Sequence, residues 1–137
     1  MVNMPGPVKL NDDSVFIHAQ GIQAIHNILA DNGMVCKHEQ IFNKKSGIEG
    51  YFLIDYPSLE MKQLTCKIED NHPLGRLFDM DVLGIDARPI SRDQIGLSKR
   101  KCLLCENDGV YCSRNRTHSV QELQQRIKEM IIEISER

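Results

Sequence analysis

The stretch His72-Pro-Leu-Gly-Arg-Leu-Phe-Asp-Met-Asp-Val-Leu-Gly-Ile85 decides how the chain is read. Apolar and branched residues dominate Leu77 to Ile85, which reads as a strand. The two-residue period of a strand puts Asp79 and Asp81 on one face while Leu77, Met80 and Val82 serve packing. Two neighbouring carboxylates repel each other unless a cation lies between them. Magnesium is the expected cation, because it binds through one or two carboxylates together with substrate phosphates. Just upstream, Gly75 is expected to let the backbone approach a ligand, and the planar fork of Arg76 suits phosphate oxygens. An Asp-x-Asp tripeptide alone is weak, since short polar residues at a strand end are commonly turn formers. The Gly75-Arg76 pair before it and the Val82 to Ile85 run after it give it weight.

The flanking segments supply the scaffold. From Asp12 to Asn32, Val15, Ala19, Ile22, Ile25 and Leu29 recur at intervals of three and four, the stripe of an amphipathic helix. Asn11 or Asp12 can cap its start and Gly33 its end, and His18 and His26 read as surface or boundary residues. Met34 to Lys44 and Tyr51 to Tyr56 read as strands joined through a Lys-Ser-Gly turn into a hairpin. Pro57 opens a second helix to about Asp70, with Met61, Leu64 and Ile68 on one face. Glu69, in its last turn, is a candidate third acid, with a surface glutamate as the plainer reading. Gly84 to Pro89 turns the chain back into Ile90-Ser91-Arg92.

The resulting order predicts an α+β fold with an antiparallel or mixed sheet and helices on one face. It follows the split βαβ plan of ferredoxin-like domains with an added hairpin strand. Ser119 and Glu122 form a capping box for a C-terminal helix, whose stripe of Val120, Leu123, Ile127, Met130 or Ile131, and Ile134 is a docking face.

At 137 residues the chain has the length of one domain, and 41% hydrophobic with 26% charged residues is ordinary globular composition. A net charge of -2 gives no general argument for nucleic acid or an anionic membrane as partner. No apolar run approaches the roughly eighteen residues that span a bilayer, and no signal-peptide core is visible, so a cytoplasmic location is expected. Charge is uneven, however. Between Arg88 and His118 there are seven basic residues (Arg88, Arg92, Lys99, Arg100, Lys101, Arg114, Arg116) against three acids (Asp93, Glu106, Asp108). That local excess suits an anionic small molecule or an acidic protein surface, and equally a solvated basic face.

Residues 98–118 also carry Cys102-Leu-Leu-Cys105, Cys112 and His118. Two thiolates two residues apart can grip one zinc, and the later Cys and His could complete a tetrahedral shell. A reduced structural pair with a buried cysteine nearby is the competing reading. A thioredoxin-like role fits poorly, because this Cys-x-x-Cys does not join a strand to a helix. Cys36 and Cys66 read as packing residues.

The blocks His72 to Val82, Ser91-Arg92, Arg100-Lys-Cys-Leu-Leu-Cys105 and Cys112-Ser-Arg114 through His118-Ser119, in this order, resemble the apo-citrate lyase phosphoribosyl-dephospho-CoA transferase family. Pro5-Gly-Pro-Val-Lys9 is similar to the family's early strand and turn. The resemblance covers nearly the whole chain and implies an enzyme of nucleotidyltransferase type. Triphosphoribosyl-dephospho-CoA would be the donor, a serine of the citrate lyase acyl carrier protein the acceptor, and pyrophosphate the leaving group. Asp79 and Asp81 would then hold Mg2+, with Gly75, Arg76, Arg92, Arg100 and Lys101 contacting donor phosphates and His72 or Glu69 taking the serine proton. The Arg114 and Arg116 region would meet the carrier.

Family members usually begin further upstream, so residues 1–137 are expected to form a single transferase domain without the family's N-terminal segment. Two other readings stand beside this one: the equivalent transferase for malonate decarboxylase, and a non-catalytic zinc-stabilised module that binds the carrier or the lyase complex.

Overall fold

Helix α1 (Asp12–Asp31) starts where the Asn11 side chain accepts from the Ser14 backbone N–H and the Ser14 hydroxyl accepts from the Asn11 N–H. This reciprocal cap satisfies two donors that the first helical turn leaves open. In the computed structural model, which describes residues 1–136, α1 packs against the other main elements rather than standing apart from them. Its buried side is Ser14, Ile17, His18, Gly21 and Leu29. Leu29 is buried as expected, but Val15 and Ala19 of the expected stripe are exposed, and a serine, a histidine and a glycine share the inner face. Hydropathy could not find that face because three of its five members are not apolar.

The hairpin forms as expected, from β1 (Cys36–Lys44) and β2 (Gly47–Ile54), with Lys44 opposite Gly47 across a two-residue turn. Gly47, at φ 133, adopts a backbone angle that a side chain would disfavour. Helix α2 (Ser58–Asn71) follows Pro57, and α3 (Gly109–Asn115) and α4 (Val120–Ser135) complete the set, α4 opening with the Ser119–Glu122 capping box. The chain is thus α+β. Among the described residues the sheet has two antiparallel strands.

Leu77 to Ile85 is not a ladder strand, which corrects the sequence-based expectation. Gly75–Leu77 is a 3-10 turn, Val2 makes a single antiparallel bridge to Phe78, and Leu83 makes another to Pro89. Ile90-Ser91-Arg92 likewise leads into a 3-10 turn, Arg92–Ile95, capped by Ser91 and Gln94. Branched side chains raise strand propensity, but a strand also needs a partner along its length, and here tertiary context prevails.

The core joins Ile17 of α1, Ile68 of α2, Leu74, Leu77, Phe78, and Ile127 and Met130 of α4. Phe78 is its largest fully buried member, at 1% exposure. Its ring lies over Gly21, where a Cβ would stand 3.3 Å from Phe78 Cε1, and 4.9 Å centre to centre from the His72 imidazole. Full burial of such a side chain contributes about 1.5–3 kcal/mol. Asp79, the next residue, is thereby placed at the edge of the core.

Candidate functional site

The loop after Phe78 is held by backbone groups on both sides. The Asp79 N–H donates to the Met1 carbonyl at 2.9 Å, and the Met1 amino group donates to the Asp79 carbonyl at 3.0 Å. Further along, the Ile90 N–H donates to the Val82 carbonyl at 2.9 Å. Between the two acids, the Met80 N–H donates to Glu69 Oε2 at 3.0 Å. With the intervening backbone pinned, Asp79 and Asp81 have little freedom to change spacing.

Glu69 is the hub of this arrangement. It is 4% exposed, and besides the Met80 N–H it meets Arg92 Nη2 at 2.9 Å and Arg100 Nη1 at 3.5 Å. The surface reading of Glu69 is corrected by this burial, and its carboxylate lines a cavity together with Asp79 and Asp81. A buried carboxylate with an amide and two guanidinium partners is satisfied where it stands. Arg92 extends the network to Asp70 at 3.0 Å, and these carboxylate partners raise its pKa against the opposing effect of burial. Arg100 also donates to the carbonyls of Gly75 and Arg76, each at 3.1 Å.

Asp79 and Asp81 line two cavities at once. The larger, about 560 Å³, lies between α1, β2, α2 and the acid loop, and its wall is mostly apolar, with Ile22, Ile25, Phe52 and Met61 among its members. The smaller, about 290 Å³, is also lined by the charged residues Lys62, Glu69, Arg92 and Arg100. Of the expected site residues, Asp79, Asp81, Arg92 and Arg100 therefore meet at one place, while His72, Gly75, Arg76 and Lys101 line neither cavity.

Those four have other positions. A Cβ on Gly75 would overlap the carbonyl oxygen of Glu69, so its missing side chain serves the packing of the turn against the end of α2. Arg76 donates to the Cys102 carbonyl at 2.7 Å and lies 3.9 Å from Glu106. Lys101 is exposed, in a single bridge with Asp108. The Leu74 N–H donates to His72 Nδ1 at 2.9 Å, which occupies that nitrogen.

Two residues outside the expected site face it, and for His18 this corrects the surface or boundary reading. His18, 8% exposed, lines the larger cavity, and burial lowers its pKa, so at neutral pH it is an uncharged imidazole. Lys62, 7% exposed, lines the smaller cavity. Lys62, Cys66 and Glu69 fall at helical spacing along one side of α2, a signal present in the sequence but invisible to a search for apolar stripes.

The Cys/His group forms a second centre. One ligand atom each from Cys102, Cys105, Cys112 and His118 lie within 4.8 Å of one another, and Cys105 Sγ is 3.5 Å from Cys112 Sγ. Four thiolate or imidazole ligands at about 2.3 Å and 2.0 Å from a tetrahedral ion would be separated by roughly 3.5–3.8 Å. The loop is closed by the Cys102 N–H donating to the Asn107 carbonyl at 2.8 Å and the Gly109 N–H donating to the Arg100 carbonyl at 2.9 Å. Arg116, at φ 47, then turns the chain so that His118 folds back.

Two features fit this group to a metal. His118 Nε2 is buried with no hydrogen-bond partner, a costly state that a coordinated ion would relieve. The Leu104 N–H points at Cys102 Sγ at 3.4 Å; burial pushes the Cys102 thiol up, but hydrogen bonds from the Leu104 and Cys105 backbone and from the Cys112 and Cys105 side chains together bring its pKa down. Cys112 is pushed up to about 11, by burial first and then by its contact with Cys105. These four residues could hold a metal ion such as zinc.

The buried Glu69 carboxylate and the two acids beside it, between one mostly apolar cavity and one lined by charged residues, make up the candidate site. The family model described as apo-citrate lyase phosphoribosyl-dephospho-CoA transferase matches residues 1–134. A Vibrio cholerae serotype O1 protein named "Probable apo-citrate lyase phosphoribosyl-dephospho-CoA transferase" is 45% identical over 130 residues, covering 94% of this chain and 73% of its own length. An Escherichia coli O7:K1 protein of that name, without the qualifier, is 34% identical over 130 residues, covering 95% of this chain and 71% of its own. The chain belongs to the apo-citrate lyase phosphoribosyl-dephospho-CoA transferase family. No helix among the described residues is long and apolar enough to cross a membrane.

Proposed function

We propose that the chain, acting as a single domain in the cytoplasm, transfers the phosphoribosyl-dephospho-CoA group from triphosphoribosyl-dephospho-CoA to a serine of the citrate lyase acyl carrier protein. The observation that carries this reading is the position of Asp79 and Asp81 at the junction of an apolar and a charged cavity. A donor with an adenine ring and a pantetheine arm at one end and a triphosphate at the other presents both kinds of surface, with its reactive phosphorus between them. In the reaction, a bond forms from the serine oxygen to that phosphorus and the bond to the pyrophosphate bridging oxygen breaks. The serine proton goes to a base and the electron pair leaves with pyrophosphate.

Asp79 and Asp81, a hard-oxygen pair, would hold Mg2+, which when bound supplies charge neutralisation at the polyphosphate. Glu69 keeps the acid loop and both arginines in place along the wall of the smaller cavity. His18 is the better placed acceptor for the serine proton: it is neutral and lines the cavity that Asp79 and Asp81 share. His72 uses its Nδ1 lone pair on the Leu74 N–H. The Cys102, Cys105, Cys112 and His118 group would hold a structural Zn2+, a closed shell without an open position for substrate.

Incubating the purified protein with donor, magnesium and apo carrier should add the mass of the prosthetic group to one serine. Absence of that adduct with a folded protein and competent carrier would leave the zinc-stabilised carrier-binding module, which the Cys/His group favours, as the better reading. Offering the malonate decarboxylase carrier in parallel identifies the acceptor.

A further inference from the structure

We propose that the smaller cavity seats the departing pyrophosphate and that Lys62 is the residue that holds it, an inference that rests on the transfer reaction proposed above. Three cations (Lys62, Arg92, Arg100) and three carboxylates (Glu69, Asp79, Asp81) line this cavity. Their pairing is unequal. Glu69 engages both arginines, and Asp70 takes the rest of Arg92, so the arginine charges are largely compensated within the protein.

Lys62 is not compensated. It is 7% exposed, and among the described residues no carboxylate oxygen lies within 4.0 Å of its ammonium. Its stem is packed against the fold while its ammonium has no carboxylate partner, so its N–H donors are open to an anionic occupant of the space it lines. A compact ammonium with three donors binds phosphate oxygens as a point charge. At about 290 Å³ the cavity has the volume of roughly ten waters at about 30 Å³ each, enough for pyrophosphate.

The polarity of the reaction follows. Asp79 and Asp81 belong to both cavities, so a donor lying across them has its nucleotide side in the apolar chamber and its terminal phosphates beside Lys62. As the phosphorus–oxygen bond breaks, negative charge grows on the pyrophosphate oxygen, and the Lys62 N–H donors stabilise it there. Nothing but charge and hydrogen bonds changes at Lys62, since the serine proton leaves on the opposite side.

The test is calorimetric titration of magnesium pyrophosphate into the wild-type protein and into the Lys62→Met, Lys62→Arg and Lys45→Met variants, with melting curves confirming the fold. Loss of one charged hydrogen-bonding partner should weaken binding about tenfold to a hundredfold in Lys62→Met, with Lys62→Arg retaining most affinity and Lys45→Met unchanged. A folded Lys62→Met that binds within about twofold of wild type, or a wild-type protein that does not bind pyrophosphate, overturns the inference. Should Lys62→Met not melt cooperatively, wild-type protein labelled at lysine Cε decides. The Lys62 resonance, assigned from Lys62→Arg, moves during the titration while Lys37 and Lys45 stay, and a stationary Lys62 resonance overturns the assignment. The transfer assay is independent of these readouts. Transfer with Lys62-independent pyrophosphate binding defeats only this inference, whereas Lys62-dependent binding without transfer defeats the reaction and leaves the anion site.

Discussion

The two candidate metal-binding regions are built on opposite principles. The Asp79 and Asp81 pair is half open, offers hard oxygen ligands and fronts two cavities. The Cys102, Cys105, Cys112 and His118 group offers mostly soft ligands, with two of its four members buried and two half-buried. An ion in the first place shares its shell with substrate and can come and go, while an ion in the second replaces part of a hydrophobic core. The first region should therefore fail in activity before stability, and the second in stability before activity.

The sharpest break of this comparison comes from the acids. Asp79→Ala and Asp81→Ala should each reduce transfer on the order of a thousandfold, the loss of several kcal/mol of charge stabilisation, with melting nearly unchanged. Comparable transfer in both variants would remove the acids from the chemistry. Next is the sulfur site: metal analysis should find about one equivalent of zinc, and chelation or Cys112→Ser should lower the melting temperature by roughly 10 °C or more. An apo protein that melts like the holo form would reduce the cluster to packing.

Glu69→Ala lies between the two regimes. It should cost about 3 kcal/mol by stranding Arg92 and Arg100, and should also impair transfer, because the Met80 N–H loses its acceptor. Full transfer at a temperature where the variant is folded would show that the hub is structural only. Gly75→Ala should cost about 2 kcal/mol through overlap with the Glu69 carbonyl, measured by urea unfolding, and a neutral result would mean that the turn yields easily.

The smallest effect concerns pH. His18 has its pKa lowered by folding, so below the unfolded value of about 6.5 the unfolded chain binds the extra proton and stability falls. The wild type should lose a few degrees more of melting temperature between pH 7.5 and about 5.5 than His18→Gln does. Parallel pH curves for the two proteins would contradict the burial of a neutral imidazole.

Much of the scaffold was legible because periodicity carries it: the hairpin and the helices α1, α2 and α4 fall close to their expected bounds. The misreadings share a physical cause. Apolar periodicity placed Val15 inside and overlooked Ser14, His18 and Gly21, because a small or polar residue can occupy an inner face when a ring such as Phe78 fills the space. The same preference hid Lys62 on the inner side of α2 and made the surface the plainer reading for Glu69. Leu77 to Ile85 was read as a strand from its residue types, yet strand formation is settled by partners elsewhere in the chain. Asp79 and Asp81 were legible as a pair; what separates the arginines that line the cavity from Arg76, which does not, is a matter of tertiary position alone.

The hydrogen bond from Arg76 to the Cys102 carbonyl has a mechanical consequence. Arg76 is two residues from Phe78 and three from Asp79, and Arg100, just ahead of the sulfur loop, clasps the same turn from the other side. Sulfur knot and acid loop are thus hinged to one short rod of backbone. Slack introduced at the cysteines is transmitted along that rod to the carboxylates, so the two centres share their tolerances although they share no ligand.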